Sequence, residues 1–275
     1  MQQATNTPLH QLQRGIMRLI RLRPRSLPVV GTLEWAPSAN FVVHDENTST
    51  MIGFSPLTTT RAITGSFYWE FRLFDKSPTE PIYTYKSDLM RFSDQETLDS
   101  AEIARRANLP KLFHYCELMA YSPDASPTGV SSVLVAFHHF TSRDGSFEAH
   151  LPAAYIWGAA RFTRTERFHY ENFPAARISA THRPVIITMN PFVRPMNYWI
   201  QLVDANGRKH EEGPFRVCGK GVSRWDGHEV TALGLTNPVG VIVRSEHKCN
   251  SFVGAVDTHT GHMVNLEHMH PFFSR

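Results

Sequence analysis

Cysteine is scarce: Cys116, Cys218 and Cys249 are the three in 275 residues. Their odd number and wide spacing give no disulfide framework and no CxxC pair. That excludes a small disulfide-stapled secreted domain and points to a reducing, cytosolic setting. No stretch approaches the roughly eighteen uninterrupted apolar residues of a membrane-spanning helix. Between Met1 and Pro28 arginines break every apolar run, which leaves no apolar core for a secretory leader. The familiar catalytic patterns are missing as well. There is no HExxH, no GxxxxGK[ST] phosphate loop around Gly219 and Gly221, no GxSxG elbow, and no His-x-Glu with a downstream Pro-Cys-x-x-Cys. With no motif that names a reaction, the chain reads as a non-enzyme with no cofactor.

Acidic residues are absent from Met1 to Leu33, while Arg14, Arg18, Arg21, Arg23 and Arg25 crowd the second half of that segment. The net charge of the whole chain is only +3, so this arm concentrates the positive charge. It suits a phosphate-bearing partner, nucleic acid or anionic lipid, or else a solubilising tail. Leu9, Leu12, Ile16, Leu19 and Ile20 recur at helical spacing until Pro24 and Pro28, which predicts a basic amphipathic helix. A second helix is predicted over Asp94–Asn108, where early acids and late arginines suit the helix dipole.

The rest reads as short strands between turns. Asp144-Gly145 and Asn206-Gly207 have the chemistry of tight hairpin turns, and "SFVGAV", "DTHTG" and "HMVNL" read as strand, turn and strand. The expected fold is mainly β, a jelly-roll-like sandwich or barrel with an N-terminal amphipathic helix and one further helix. Residues 1–33 form the arm, 34–190 a β-rich core, and 191–275 a C-terminal hairpin region, either a separate unit or the closing strands of the same domain. The boundary falls at "NPFVRPMN", which carries two prolines.

Histidines cluster at the C-terminus. Asp257 and His259, and His268 and His270, have the i, i+2 spacing that puts two side chains on one face of a strand. Zinc needs three or four converging ligands, and His247, Cys249, His259 and His270 are the set that tertiary packing would have to assemble. Turn-tip and tail positions do not converge by themselves, so no metal is assigned. His138 and His139 lie in an apolar strand, and at least one is expected to point inward. Cys116, two residues from His114, reads as a buried structural thiol.

Between Arg161 and Arg183, Arg161, Arg164, Arg167, Arg177 and Arg183 interleave with Phe162, Phe168, Tyr170 and Phe173. Arginine neutralises phosphate and an exposed ring can stack a base, so the segment suits single-stranded nucleic acid. The alternative is a strand whose aromatics are core and whose arginines are solvated.

The stretch "ITGSFYWEFRLFDKSPTE" resembles the signature strand of the plant-virus 30K superfamily of cell-to-cell movement proteins. Gly65 and Ser66 enter an alternating strand, Leu73, Phe74 and Asp75 end it, and Lys76 follows. Looser similarity extends over about Ser38 to Phe173. The resemblance implies a β-rich domain that binds single-stranded nucleic acid cooperatively, self-associates, works on host-cell membranes in the cytoplasm and enlarges plasmodesmata. It makes Gly65 and Asp75 structural landmarks, with Asp75 organising the turn after the strand. Phe67, Tyr68, Trp69, Phe71 and Phe74 in that strand imply burial on both faces or one face offered to a partner. Two rival functions share the β class: a viral coat or matrix protein, and a zinc-dependent β-fold enzyme or module.

Overall fold

A computed structural model describes residues 33–34, 38–57, 66–91, 96–122, 133–152, 154–155, 168–176, 179–227 and 232–271. The protein is mainly β, and the described strands pair antiparallel in three sheets. The first sheet has eleven strands. Its main path runs β10 (Glu148–Pro152), β9 (Val133–Ser142), β3 (Thr48–Leu57), β2 (Ser38–His44), β8 (Leu112–Ser122), β4 (Ser66–Phe74) and β5 (Tyr83–Lys86). Short strands extend it: β1 (Leu33–Glu34) on β8, β11 (Ala154–Tyr155) on β2, β6 (Met90–Arg91) on β4 and β7 (Glu96–Asp99) on β3. The second sheet is ordered β16 (Gly221–Asp226), β13 (His182–Asn190), β18 (Asn250–Asp257), β19 (Met263–His268). The third is ordered β15 (Lys209–Val217), β14 (Met196–Asp204), β17 (Val239–Ser245), β12 (His169–Ala176), β20 (His270–Pro271).

The second sheet lies between the other two. From Pro184 to Asn190 on β13, and from Asn250 to Val256 on β18, every residue is buried. Such continuous burial means that both faces of a strand are covered. On one face Val185, Ile187, Met189, Phe252 and Val256 share a core with Phe41, Tyr115 and Phe140 of the first sheet. The Phe41 and Phe252 rings meet edge to face at 5.2 Å. On the other face Ile186 and Val253 pack with Tyr198, Ile200, Leu202, Val241 and Val243 of the third sheet. β14 and β17, by contrast, alternate buried and part-exposed positions and so cover a core on one side only.

A third core lies under the helix α1 (Ser100–Ala107), where Ile103 and Ala104 meet Trp69, Phe71, Leu73, Cys116 and Leu118. The aromatic strand β4 therefore buries Trp69 and Phe71 beneath the helix and Phe74 in the core shared with the second sheet. Tyr68 is half-buried, with Lys86 Nζ 3.9 Å from its ring centre.

Two expectations change. None of the three sheets closes into a barrel among the described residues, because each path ends in edge strands. The helix predicted over Asp94–Asn108 is confined to Ser100–Ala107. Glu96–Asp99 instead pairs with Met51–Phe54 of β3 and buries Leu98. Asp99 starts the helix by accepting the Ala101 N–H at 2.6 Å, and Asn108, at φ 55°, ends it. The predicted N-terminal amphipathic helix lies outside the described residues. Both predicted tight turns join paired strands, with Gly145 and Gly207 at φ 74° and 78°.

Candidate nucleic-acid interface

The alternation that buries Tyr198, Ile200, Val241 and Val243 turns their neighbours outward on the third sheet. Strand register then decides which outward side chains meet. Arg244 pairs with Trp199 on one side and Tyr170 on the other. Its guanidinium carbon lies 4.4 Å from the centre of the Trp199 ring and 5.1 Å from that of Phe168. These are cation–π distances. The Phe168 and Trp199 rings are perpendicular, with centres 5.9 Å apart. Glu211 holds Arg244 Nη2 at 3.2 Å and also accepts from the Gln201 amide.

Gly213 of the neighbouring strand leaves room for the Trp199 side chain. A Cβ there would sit 3.1 Å from Trp199 Cδ1 and 3.0 Å from the Tyr198 carbonyl oxygen, and its φ of +124° also favours glycine. Lys209, opposite Val203, and Arg216, opposite Asn197, are exposed on the same face. Lys209, Arg216 and Arg244 stand on this face with two carboxylates among the described residues, Glu211 and Glu246, the latter just past β17 and bonded to Asn197. Chemically the arrangement offers aromatic surfaces, a fixed guanidinium and a modest positive field, which suits stacking of planar groups on an anionic backbone.

The residues singled out from the sequence are placed unevenly. Arg14, Arg18, Arg21, Arg161, Arg164, Arg167, Arg177 and Gly65 lie outside the described residues. Arg183 is exposed near the start of β13, opposite Val256 in the second sheet. Of the aromatics in its segment, Phe168 and Tyr170 face outward, whereas Phe173 packs against the core between the second and third sheets. Asp75 is exposed, with Oδ1 3.9 Å from His114 Nε2, and the turn that follows is held by Ser77 Oγ, which accepts the Glu80 N–H at 3.1 Å. Trp199 and Arg244 were missed. Their signal was "NYWIQLV" and "VGVIVRS", strands in which one large or charged residue occupies an outward position.

The four histidine and cysteine candidates do not converge. Cys249 precedes β18 and His259 follows it, so the eight residues of that strand, roughly 25 Å, separate them. His247 packs edge-on against Phe192 at 5.0 Å. The backbone of His270 pairs with Asn172. Cys249 instead meets Glu171 and His169 of β12 in a polar pocket of the core. Its Sγ lies 3.3 Å from Ser245 Oγ, 3.6 Å from Ser251 Oγ and 3.7 Å from Glu171 Oε2. His169 Nε2 lies 3.4 Å from Glu171 Oε1. Burial pushes the Cys249 thiol well above its ordinary pKa, which makes it a weak nucleophile and a reluctant thiolate ligand. Burial does the same to Cys116. Of the adjacent histidines, His138 is fully buried and His139 is partly exposed. In comparisons with known proteins, no family model and no curated protein matches the chain.

Proposed function

We propose that this protein is a non-enzymatic β scaffold that binds single-stranded nucleic acid across the outer face of its third sheet. The observation that carries the reading is Arg244 held between Trp199 and Phe168, with Tyr170 beside it on the neighbouring strand. Aromatic rings stack bases of any sequence, and flanking Lys209 and Arg216 attract the backbone. This is the activity that the resemblance to plant-virus movement proteins implies, and a membrane-associated role in cell-to-cell transport completes the proposal. The jelly-roll-like reading of the fold draws support from the antiparallel first sheet, which contains both β4 and β9.

Fluorescence anisotropy with a labelled single-stranded RNA, titrated across a salt series, tests the proposal. Binding should weaken as salt rises, because released counterions drive it. Trp199→Ala should cost about 1–3 kcal/mol, the loss of one stacked base. Binding that ignores salt, or that is untouched by the Trp199 change, would refute the assignment to this face.

A further inference from the structure

The β9–β10 hairpin assembles a group of metal-binding side chains that no pattern in the sequence announces. His139 and His150 are directly opposed across the two strands, and Glu148 lies two residues before His150 on the same face. The imidazole rings stack almost in parallel, 8° apart, with centres 4.1 Å apart. Both Nε2 atoms approach one carboxylate oxygen: Glu148 Oε1 is 2.7 Å from His139 and 2.8 Å from His150. The three donor atoms all lie within 4.8 Å of one another. His139 Nε2 is shielded from solvent and, despite that 2.7 Å approach, lacks the alignment of a hydrogen bond.

We propose that His139, Glu148 and His150 form a binding site for a zinc-class divalent cation. Two imidazoles and a carboxylate are a donor set that late first-row ions favour. Bonds of about 2.0–2.1 Å to a tetrahedral ion place neighbouring donors roughly 3.3 Å apart, so each histidine–Glu148 pair need open by only about half an ångström, while the stacked rings must turn to aim their in-plane nitrogens at one ion. The backbone supplies the preorganisation. The Asp144-Gly145 turn fixes the hairpin register, and Asp144 accepts the Ser146 N–H at 3.0 Å. Thr141, opposite Glu148, is tied to Ser49 of β3 by a 3.0 Å hydroxyl contact. Access is open, since the side chains of Glu148 and His150 are 59% and 60% exposed. Three protein donors leave at least one position for water or a ligand.

The buried group of His169, Glu171 and Cys249 has comparable spacing, but its thiol is protonated and held by Ser245 and Ser251. The surface triad contains no thiol and needs no opening of the core.

Isothermal titration of the full chain with Zn²⁺ tests the assignment. One ion per chain should bind at the triad, and His150→Ala and His150→Gln should each weaken it at least tenfold. Because His150 is exposed on an edge strand, both variants should keep the parent's unfolding temperature. Cys249→Ser and His259→Ala should leave zinc affinity unchanged. Zinc binding that survives both His150 variants, is lost with Cys249→Ser, or is not detected at all would overturn the proposal.

Discussion

His138 sits fully buried on β9, its ring stacked on Phe140 at 6.3 Å. Burial pushes its pKa down to about 3, and the backbone of Phe41 offsets this only in part. The folded chain thus refuses a proton that the unfolded chain takes up near pH 6.5. The unfolded state binds more protons between those values, so stability is full above about pH 6.5 and falls as pH drops toward 3. From pH 7 to pH 5 the loss attributable to this ring is roughly 2 kcal/mol. His138→Phe, which keeps a ring in the site, should remove that part of the slope, as read from urea unfolding at the two pH values. A slope equal to that of the parent would show that the ring is protonated in the folded state.

Glycine illustrates the same scale in a different way. Gly219 draws notice in the sequence as part of "CGKGVS", yet its reason is steric. A Cβ there would lie 1.8 Å from the carbonyl oxygen of Val193, so only glycine lets these two turns touch.

Among the elements, α1 shows how competition between local signals is settled. Its sequence carries helix-favouring acids and arginines, and Glu102 pairs with Arg105 and Arg106 one turn later. Yet strand pairing with β3 takes Glu96–Asp99, and the helix begins only where the Asp99 carboxylate caps it. Asp99→Ala should cost about 1 kcal/mol, and Asp99→Ser should restore most of it. Chemical denaturation of the three proteins side by side checks this. An unchanged Asp99→Ala midpoint would mean that packing of Ile103 and Ala104 alone sets the helix start.

The hairpins were the most legible elements. Asp144-Gly145 and Asn206-Gly207 specify backbone conformations that few other pairs adopt, so their turns follow from local chemistry. Sheet membership was not legible. β17 and β18 are consecutive in the chain and look alike, but they lie in different sheets, paired with β14 and β13. Only burial separates them, since β18 is covered on both faces and β17 on one. The "NPFVRPMN" segment marks a similar passage, from β13 in the second sheet to β14 in the third.

At the scale of the whole molecule, one ion pair ties distant parts of the chain. Lys220, in the turn between β15 and β16, donates to Glu117 of β8 at 2.9 Å, and Glu117 also accepts from the Tyr115 hydroxyl at 3.0 Å. Glu117 is 3% exposed, and the Lys220 ammonium lies 4.3 Å from the centre of the Phe74 ring. A buried pair adds little over an apolar substitute, but removing one partner strands a charge. Lys220→Met should therefore destabilise by about 3–5 kcal/mol, and adding Glu117→Gln should recover much of that loss. Urea midpoints for the single and double variants give the coupling directly. Additive effects would show that the pair is solvated.

The amino-acid sequence alone determined the β class, the two glycine turns and the lack of recognised catalytic patterns, because these rest on local backbone chemistry and residue spacing. It also brought out Phe168 and Tyr170, two of the rings of the candidate interface. Tertiary structure decided what those rings meet. Trp199 and Arg244 come from β14 and β17, and His139 reaches Glu148 and His150 only across a strand pair. The physical reason is register: a strand's sequence fixes which side chains share a face, but only pairing fixes which strand lies beside it.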